Sequence, residues 1–124
     1  MTRQLTALLG LAIASLTFAS AANATLRVKC EVRSDRSTAS VDGSNLASGQ
    51  YYAVLTSGSN TATSPNHATI GDEVEIDFSS QPRDIRKGAT ALTRNFIVGG
   101  QATGALYTAG GTLVESKTVG CRVR

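Results

Sequence analysis

The single histidine of this 124-residue chain, His67, is the first residue to consider for catalysis. A histidine base needs a nucleophile to activate and a partner that orients its ring. No nucleophile signature such as G-x-S-x-G occurs in the sequence. We therefore predict an exposed loop histidine, no catalytic residue and no enzymatic activity. A hydrolase is the least favoured class, and it would require a polar pocket that converges on His67.

Four acidic residues are concentrated between positions 72 and 77, and Glu73, Glu75 and Asp77 alternate along a predicted strand. Carboxylates in this number could bind calcium or work as acid and base. Alternate residues of a strand lie about 7 Å apart, however, so a neighbouring strand would have to supply further ligands. No D-x-D-x-D-G loop is present. The pattern predicts a solvated strand face, paired with cations on a neighbouring strand, and no metal.

Residues 79–90 form the longest predicted break between strands and are the first candidate for contact with a partner. A loop of this length is longer than a connection between two strands requires. It also places one apolar side chain, that of Ile85, among cations. The candidate contact residues are Arg83, Ile85, Arg86 and Lys87. The alternative is a segment, with room for a single helical turn, that crosses between two sheets and packs Ile85 inward. The sequence leaves both interpretations open.

A second group of cations lies on outward-facing positions of the two terminal strands. This candidate basic face consists of Arg27, Lys29, Arg33, Arg122 and Arg124. A basic face attracts polyanions such as nucleic acid or anionic lipid headgroups. Proteins that bind single strands interleave aromatic rings with their cations, whereas this chain has three tyrosines, three phenylalanines and no tryptophan. Polyanion binding is therefore the alternative hypothesis, not the leading one.

The two terminal strands are recognised by an apolar-polar alternation around a cysteine, in Leu26–Arg33 and in Val119–Arg124. A period of two is typical of a half-buried strand. Cys30 and Cys121 are the only cysteines, and an even pair in an oxidising compartment predicts a disulfide. Two cysteines and one histidine fall short of the four ligands of a usual zinc site. We expect neither a metal nor a cofactor.

Charge indicates how these two strands would meet if they are neighbours. An antiparallel arrangement with the cysteines facing each other would place Lys29 opposite Arg122, and like charges opposite one another destabilise a sheet. A parallel arrangement places Glu31 opposite Arg122 and Val32 opposite Val123 instead. We predict the parallel pairing, with a disulfide that crosses between two sheets as the alternative.

The first 24 residues have the composition of a secretory signal peptide. One cation precedes an apolar run, Leu5–Ala19, that is too short to span a bilayer comfortably, and the segment ends Ala22-Asn23-Ala24. We predict cleavage after Ala24, export to the periplasm or the medium, and no membrane-spanning segment in the mature chain. Residues 25–124 then form one domain. They keep eleven basic and nine acidic residues, and a net charge of +2 says little about partners.

Turn signals recur at intervals of roughly 6–12 residues after the leader, and no amphipathic helix interrupts them. This spacing predicts an all-β protein: an antiparallel two-sheet sandwich, immunoglobulin-like, of about seven strands, with an open-ended barrel as the alternative. Gln50–Thr56 is apolar on both faces and is predicted to be central. Ala109-Gly110-Gly111 predicts a hairpin turn. We expect a bulge, or a crossing of the sheet edge, near Ser116.

The segment Val41–Tyr51, which reads VDGSNLASGQY, resembles the turn and strand of prealbumin-like accessory modules. Together with the predicted strands it makes the chain similar to immunoglobulin-like and prealbumin-like β-sandwich modules of exported bacterial proteins. The resemblance covers about a dozen residues in a surface turn and one strand. It implies an architecture and transfers no functional residue.

Taken together, these observations favour a small exported β-sandwich protein without enzymatic activity. Its expected function is that of an interaction or structural module of the periplasm or extracellular space, with another protein as its partner. Charged terminal strands would limit edge-to-edge aggregation, and loops at the ends of the sandwich would supply the contact surface. Binding of a polyanion through the basic strand faces is the competing class.

Overall fold

The computed structural model describes residues 23–124, so the predicted signal peptide, residues 1–24, lies almost wholly outside the described residues. Within the described range, no helix is long and apolar enough to cross a membrane. The elements are β1 (Thr25–Arg33), β2 (Arg36–Ser44), β3 (Gln50–Ser57), β4 (Asn60–Thr63), β5 (His67–Ala68), β6 (Val74–Ser79), α1 (Pro82–Arg86), β7 (Thr90–Ala91), β8 (Gln101–Thr108), β9 (Leu113–Gly120) and β10 (Arg122–Val123).

The strands form two sheets, which confirms the predicted all-β, two-sheet architecture. The first sheet has the order β10-β1-β2-β6-β7, and the second has the order β4-β3-β8-β9, with β5 also paired to β3. Most neighbours are antiparallel, but β1 with β10 and β6 with β7 are parallel. Residues 23–124 form ten strands where about seven were expected, and three of the ten have only two residues.

The core lies between the inner faces of the two sheets, because each long strand alternates apolar and polar side chains. The alternation predicted for β6 is confirmed: Val74, Ile76 and Phe78 are buried, while Glu75 and Asp77 point to solvent. The central position predicted for β3 is also confirmed, since β3 lies between β4 and β8. The largest fully buried apolar side chains are Phe78, Leu55, Ile76, Leu106 and Val41.

The two sheets approach each other closely at Gly104 of β8. A Cβ atom added there would lie 2.8 Å from one methyl group of Val28 and 2.8 Å from one methyl group of Val41. Real Cβ atoms essentially never come so close to another heavy atom. Glycine at position 104 therefore allows the branched side chains of β1 and β2 to fill the centre of the sandwich.

The parallel pairing predicted for the terminal strands is confirmed, with Glu31 opposite Arg122 and Val32 opposite Val123. The disulfide between Cys30 and Cys121 is present as well. The chain runs along the second sheet as β9 and joins the first sheet as β10, so Cys121 lies where the last strand changes sheets. The disulfide thus links β1 to this crossing point.

The predicted irregularity near Ser116 is found two residues earlier. Leu106 pairs with Glu115 and Tyr107 pairs with Leu113, so Val114 is the extra residue of a bulge. Glu115 and Lys117 lie opposite the inward positions Leu106 and Gly104 of β8, so the bulge does not move them to the outer face. Both side chains are nevertheless exposed. Charged residues on the inward side of an edge strand discourage a further strand from adding there.

A buried hydroxyl group fixes the segment that enters β8. Ser57, at the end of β3, is only 2 % exposed. Its Oγ accepts a hydrogen bond from the Val98 N–H at 2.7 Å and donates one to the Gln101 carbonyl oxygen at 2.6 Å. One buried hydroxyl group therefore holds two backbone groups of the segment that enters β8.

Replacing Ser57 by alanine should lower the free energy of unfolding by about 1–2 kcal/mol, because it removes both hydrogen bonds of a buried hydroxyl group. Urea denaturation of wild type and variant at one pH measures this difference. Ser59, exposed in the adjacent turn, provides the control, since Ser59→Ala should leave the midpoint unchanged. Equal midpoints for Ser57→Ala and wild type would show that water replaces the hydroxyl group at no cost.

Candidate functional site

A groove of about 700 Å³ crosses the outer face of the first sheet. Its floor is formed by outward side chains of β1, β2 and β6, where Lys29 lies opposite Ser40 and Ser40 lies opposite Asp77. One wall is the segment that follows α1 and contains Lys87, and the other is the start of β10 with Arg122. We call this concavity the sheet groove.

The sheet groove unites members of two candidate groups that are far apart in the sequence. Lys87 belongs to the predicted contact loop, whereas Lys29 and Arg122 belong to the predicted basic face. Among residues 23–124, no carboxylate lies within 4.0 Å of the charged atoms of any of these three side chains. Lys29 attracts Asp42 and Asp77 at longer range, but an anionic group could meet the three cations without breaking a direct ion pair.

The other three arginines of the predicted basic face lie near carboxylates. A carboxylate oxygen of Glu31 lies 2.7 Å from Nε of Arg124 and 3.2 Å from a terminal nitrogen of Arg33. Arg27 faces Asp42 across the β1–β2 pair. The outer face of the first sheet is thus a pattern of alternating charges, which differs from a continuous basic surface.

The predicted contact loop contains the single helical turn that the sequence allowed, α1. Asp84 holds it against the sheet, because its carboxylate accepts a hydrogen bond of 2.8 Å from the Ser79 hydroxyl group. No residue of α1 is buried: Ile85 is half-buried, and Arg83 and Arg86 are exposed. Ile85 is thus not a member of the buried core, and the role of this loop as a contact surface stays a prediction.

His67 lies in β5 and is half-buried, unlike the exposed loop residue that the sequence predicted. It lines a second cavity of about 650 Å³, whose other lining residues include Asp42, Glu75 and Asp77. A polar pocket at His67 is the feature that a hydrolase would need. However, Nε2 of His67 is buried and makes no hydrogen bond within residues 23–124. In the part of the chain that the structure describes, no nucleophile is therefore bonded to this nitrogen.

Three carboxylates converge in the second cavity, and one of them, Asp77, also lines the sheet groove. Oxygen atoms of Asp42, Glu75 and Asp77 all lie within 4.8 Å of one another. Partial burial raises the pKa of Asp77, and the charges of Glu75 and Asp84 raise it further. Burial likewise raises the pKa of Asp42, and the negative charges of Glu75 and Asp77 raise the pKa of Asp42 further. Acidic groups of this kind are common without an ion, and we assign no metal to them.

A raised pKa in the folded state makes stability depend on pH. The folded protein binds protons more tightly than the unfolded chain, whose aspartates titrate near 3.8. The free energy of unfolding should therefore rise as the pH falls from neutral toward about 4. In the opposite direction, this added stability is lost as the pH rises through the folded-state pKa. Asp77→Asn should reduce this dependence and stabilise the protein at neutral pH by less than about 1 kcal/mol, because solvent screens these charges.

Urea denaturation at several pH values between neutral and about 4 measures this effect. Asp72→Asn is the matched control, because Asp72 lies in an exposed turn outside the carboxylate cluster. Its stability should follow that of wild type at every pH. An Asp77→Asn variant with the full pH dependence of wild type would show that the cluster does not control it.

No family model matches this chain, and no curated protein matches it either. The candidate site therefore depends on the geometry of this chain alone. Sequence reasoning identified Lys29, Lys87 and Arg122 as members of separate groups, but it did not bring them together. It missed Asp42, whose position beside Glu75 depends on the pairing of β2 with β6, and no local pattern signals that pairing.

Proposed function

We propose that this protein is an exported interaction module without enzymatic activity, and that its sheet groove binds an acidic segment of a partner protein. The observation that carries the proposal is the convergence of Lys29, Lys87 and Arg122, none of which has a carboxylate oxygen within 4.0 Å among residues 23–124. Complementary charge guides association and determines which partners are rejected.

The composition of the groove favours a protein segment over a polyanion. The carboxylates of Glu31, Asp77 and Asp84 line the same groove as the three cations, and they would repel a polymer with a negative charge at every unit. Neutral side chains also line the groove, among them Thr38, Ser40 and Ala89. A segment in which acidic residues alternate with neutral or apolar ones can place its charges at the cations alone.

Export is supported by the disulfide between Cys30 and Cys121, because such bonds persist in oxidising compartments. The predicted signal peptide gives the same indication. We further propose an immunoglobulin-like or prealbumin-like relationship for the sandwich, which the two-sheet architecture supports. The periplasm and the extracellular medium are equally compatible with these features.

The test uses a fluorescently labelled peptide of alternating glutamate and valine, with fluorescence anisotropy as the readout. Lys29→Gln, Lys87→Gln and Arg122→Gln should each weaken binding about fivefold, which corresponds to roughly 1 kcal/mol. Lys117→Gln is the matched control, because Lys117 is an exposed cation of β9 in the second sheet. It should bind the peptide as wild type does.

The same assay includes a single-stranded oligonucleotide and vesicles of anionic lipid. Tighter binding of either one, with an affinity that collapses as the salt concentration rises, would replace the acidic segment by a polyanion as the ligand. Identical affinity of the three groove variants and wild type for the peptide would refute the proposed site.

A further inference from the structure

The outer face of the second sheet differs from the first in that it carries no charge across three successive rows of side chains. In one row, Tyr52 of β3 lies opposite Tyr107 of β8, which lies opposite Leu113 of β9. The two tyrosine rings stack with centroids 5.2 Å apart and planes inclined by 11°. In the next row, Val54 lies opposite Ala105. We call this surface the tyrosine face.

The third row of the tyrosine face consists of threonines and crosses four strands. Thr61, Thr56, Thr103 and Thr118 follow one another on β4, β3, β8 and β9. The hydroxyl groups of Thr103 and Thr118 lie 2.7 Å apart and share a hydrogen bond. Leu113, at the opposite border of the face, is 49 % exposed although it is apolar. The face thus combines apolar, aromatic and hydroxyl groups without an ionised side chain.

We propose that the tyrosine face is the interface of a homodimer, occupied by the same face of a second copy of this chain. A two-fold arrangement places a surface opposite a rotated copy of itself, so a face without ionised side chains cannot bring like charges together. The tyrosine face has none, although the chain as a whole carries twelve basic and nine acidic residues. It offers no charge that a charged partner could recognise. Tyrosine is, moreover, enriched in protein interfaces because it presents a large area with little loss of rotamer freedom.

The size of the face limits the area that a dimer could bury. Strands lie about 4.8 Å apart and advance about 3.3 Å per residue, so four strands over six residues present a flat footprint of roughly 400 Å². Stable dimers usually bury about 800 Å² or more on each partner. We therefore expect a weak dimer that dissociates on dilution, and not an obligate one.

This inference does not rest on the proposed function, because the tyrosine face and the sheet groove belong to different sheets. The two surfaces point away from each other across the sandwich. A dimer formed through the tyrosine face would leave both sheet grooves open. Two grooves on one particle would then bind a partner with two or more acidic segments more tightly than a single groove does.

Sedimentation equilibrium of the purified oxidised protein, over a range of concentrations, tests the dimer. The average mass should rise with concentration toward twice the mass of one chain. Ala105→Lys and Leu113→Lys each place cations on both sides of the interface and should weaken association at least tenfold. Ile70→Lys is the matched control, because Ile70 is apolar, 87 % exposed and remote from the tyrosine face. It should associate as wild type does.

Far-ultraviolet circular dichroism establishes that each variant is folded, and Leu113, at an exposed edge, tolerates substitution even if Ala105 does not. A wild-type protein that remains monomeric up to about 1 mM would overturn the proposal, since that limit places the dissociation constant in the millimolar range or above. Equal weakening by Ile70→Lys, or growth to assemblies larger than a dimer, would also overturn it.

Discussion

Replacing both Cys30 and Cys121 by alanine should lower the free energy of unfolding by about 4–5 kcal/mol, because the bond closes a loop of 91 residues. In the chain-entropy account, this closure removes conformations from the unfolded state. For a domain of about 100 residues, the loss corresponds to a fall in the thermal midpoint of roughly 20 °C. It is also a large share of the total stability of about 5–15 kcal/mol that is typical of small domains.

Thermal unfolding of wild type, with and without reductant, measures the contribution of the disulfide directly. The double variant is the control, because reductant should not change its midpoint. Binding of the acidic peptide should weaken as well, since Arg122 follows Cys121 directly and lines the sheet groove. A wild-type midpoint that is the same under oxidising and reducing conditions would contradict the stabilising role of the bond.

Gly104→Val should destabilise the protein by about 3 kcal/mol through overpacking. The added side chain would need space that the methyl groups of Val28 and Val41 already occupy. Both valines are buried between the sheets, so they cannot rotate into solvent. The sheets would have to separate, and contacts elsewhere in the core would be lost.

Urea denaturation tests this prediction, with Gly120→Ala as the control. No atom lies within 4 Å of a Cβ at position 120, so that substitution should have little effect. A double-mutant cycle identifies the cause: Val28→Ala should offset part of the cost of Gly104→Ala, with a coupling of about 1 kcal/mol. Strict additivity of the two substitutions would show that the contact with Val28 is not the source of the destabilisation.

The features predicted correctly from the sequence are those that adjacent residues encode. The alternation in β6 and the glycine turn between β8 and β9 are local patterns. The parallel pairing of the ends was predictable because charge distinguishes the two registers, with Glu31 opposite Arg122 in only one of them. The number of strands was underestimated because strands of two residues, such as His67–Ala68, have no periodicity to detect.

The candidate site was only partly predictable, because local patterns identify its residues but not their proximity in the fold. Lys29 and Lys87 were recognised as cations of a strand and a loop, but their convergence depends on the order β1-β2-β6 in the first sheet. That strand order depends on how the apolar faces of all the strands pack into one core, so no single segment of the sequence determines it. The uncharged tyrosine face requires in addition that β3, β8 and β9 be placed side by side.

The parallel arrangement of the first and last strands has a mechanical consequence. Because β1 and β10 run in the same direction, Thr25 and Arg124 lie toward opposite ends of β1. A pulling force applied to these two residues passes along β1 to Cys30, across the disulfide to Cys121, and out through β10. The residues between the cysteines carry no tension as long as the bond is intact. The sandwich can thus stay folded while a force acts on its two ends. Reduction of the disulfide would transfer that force to the strands between the cysteines.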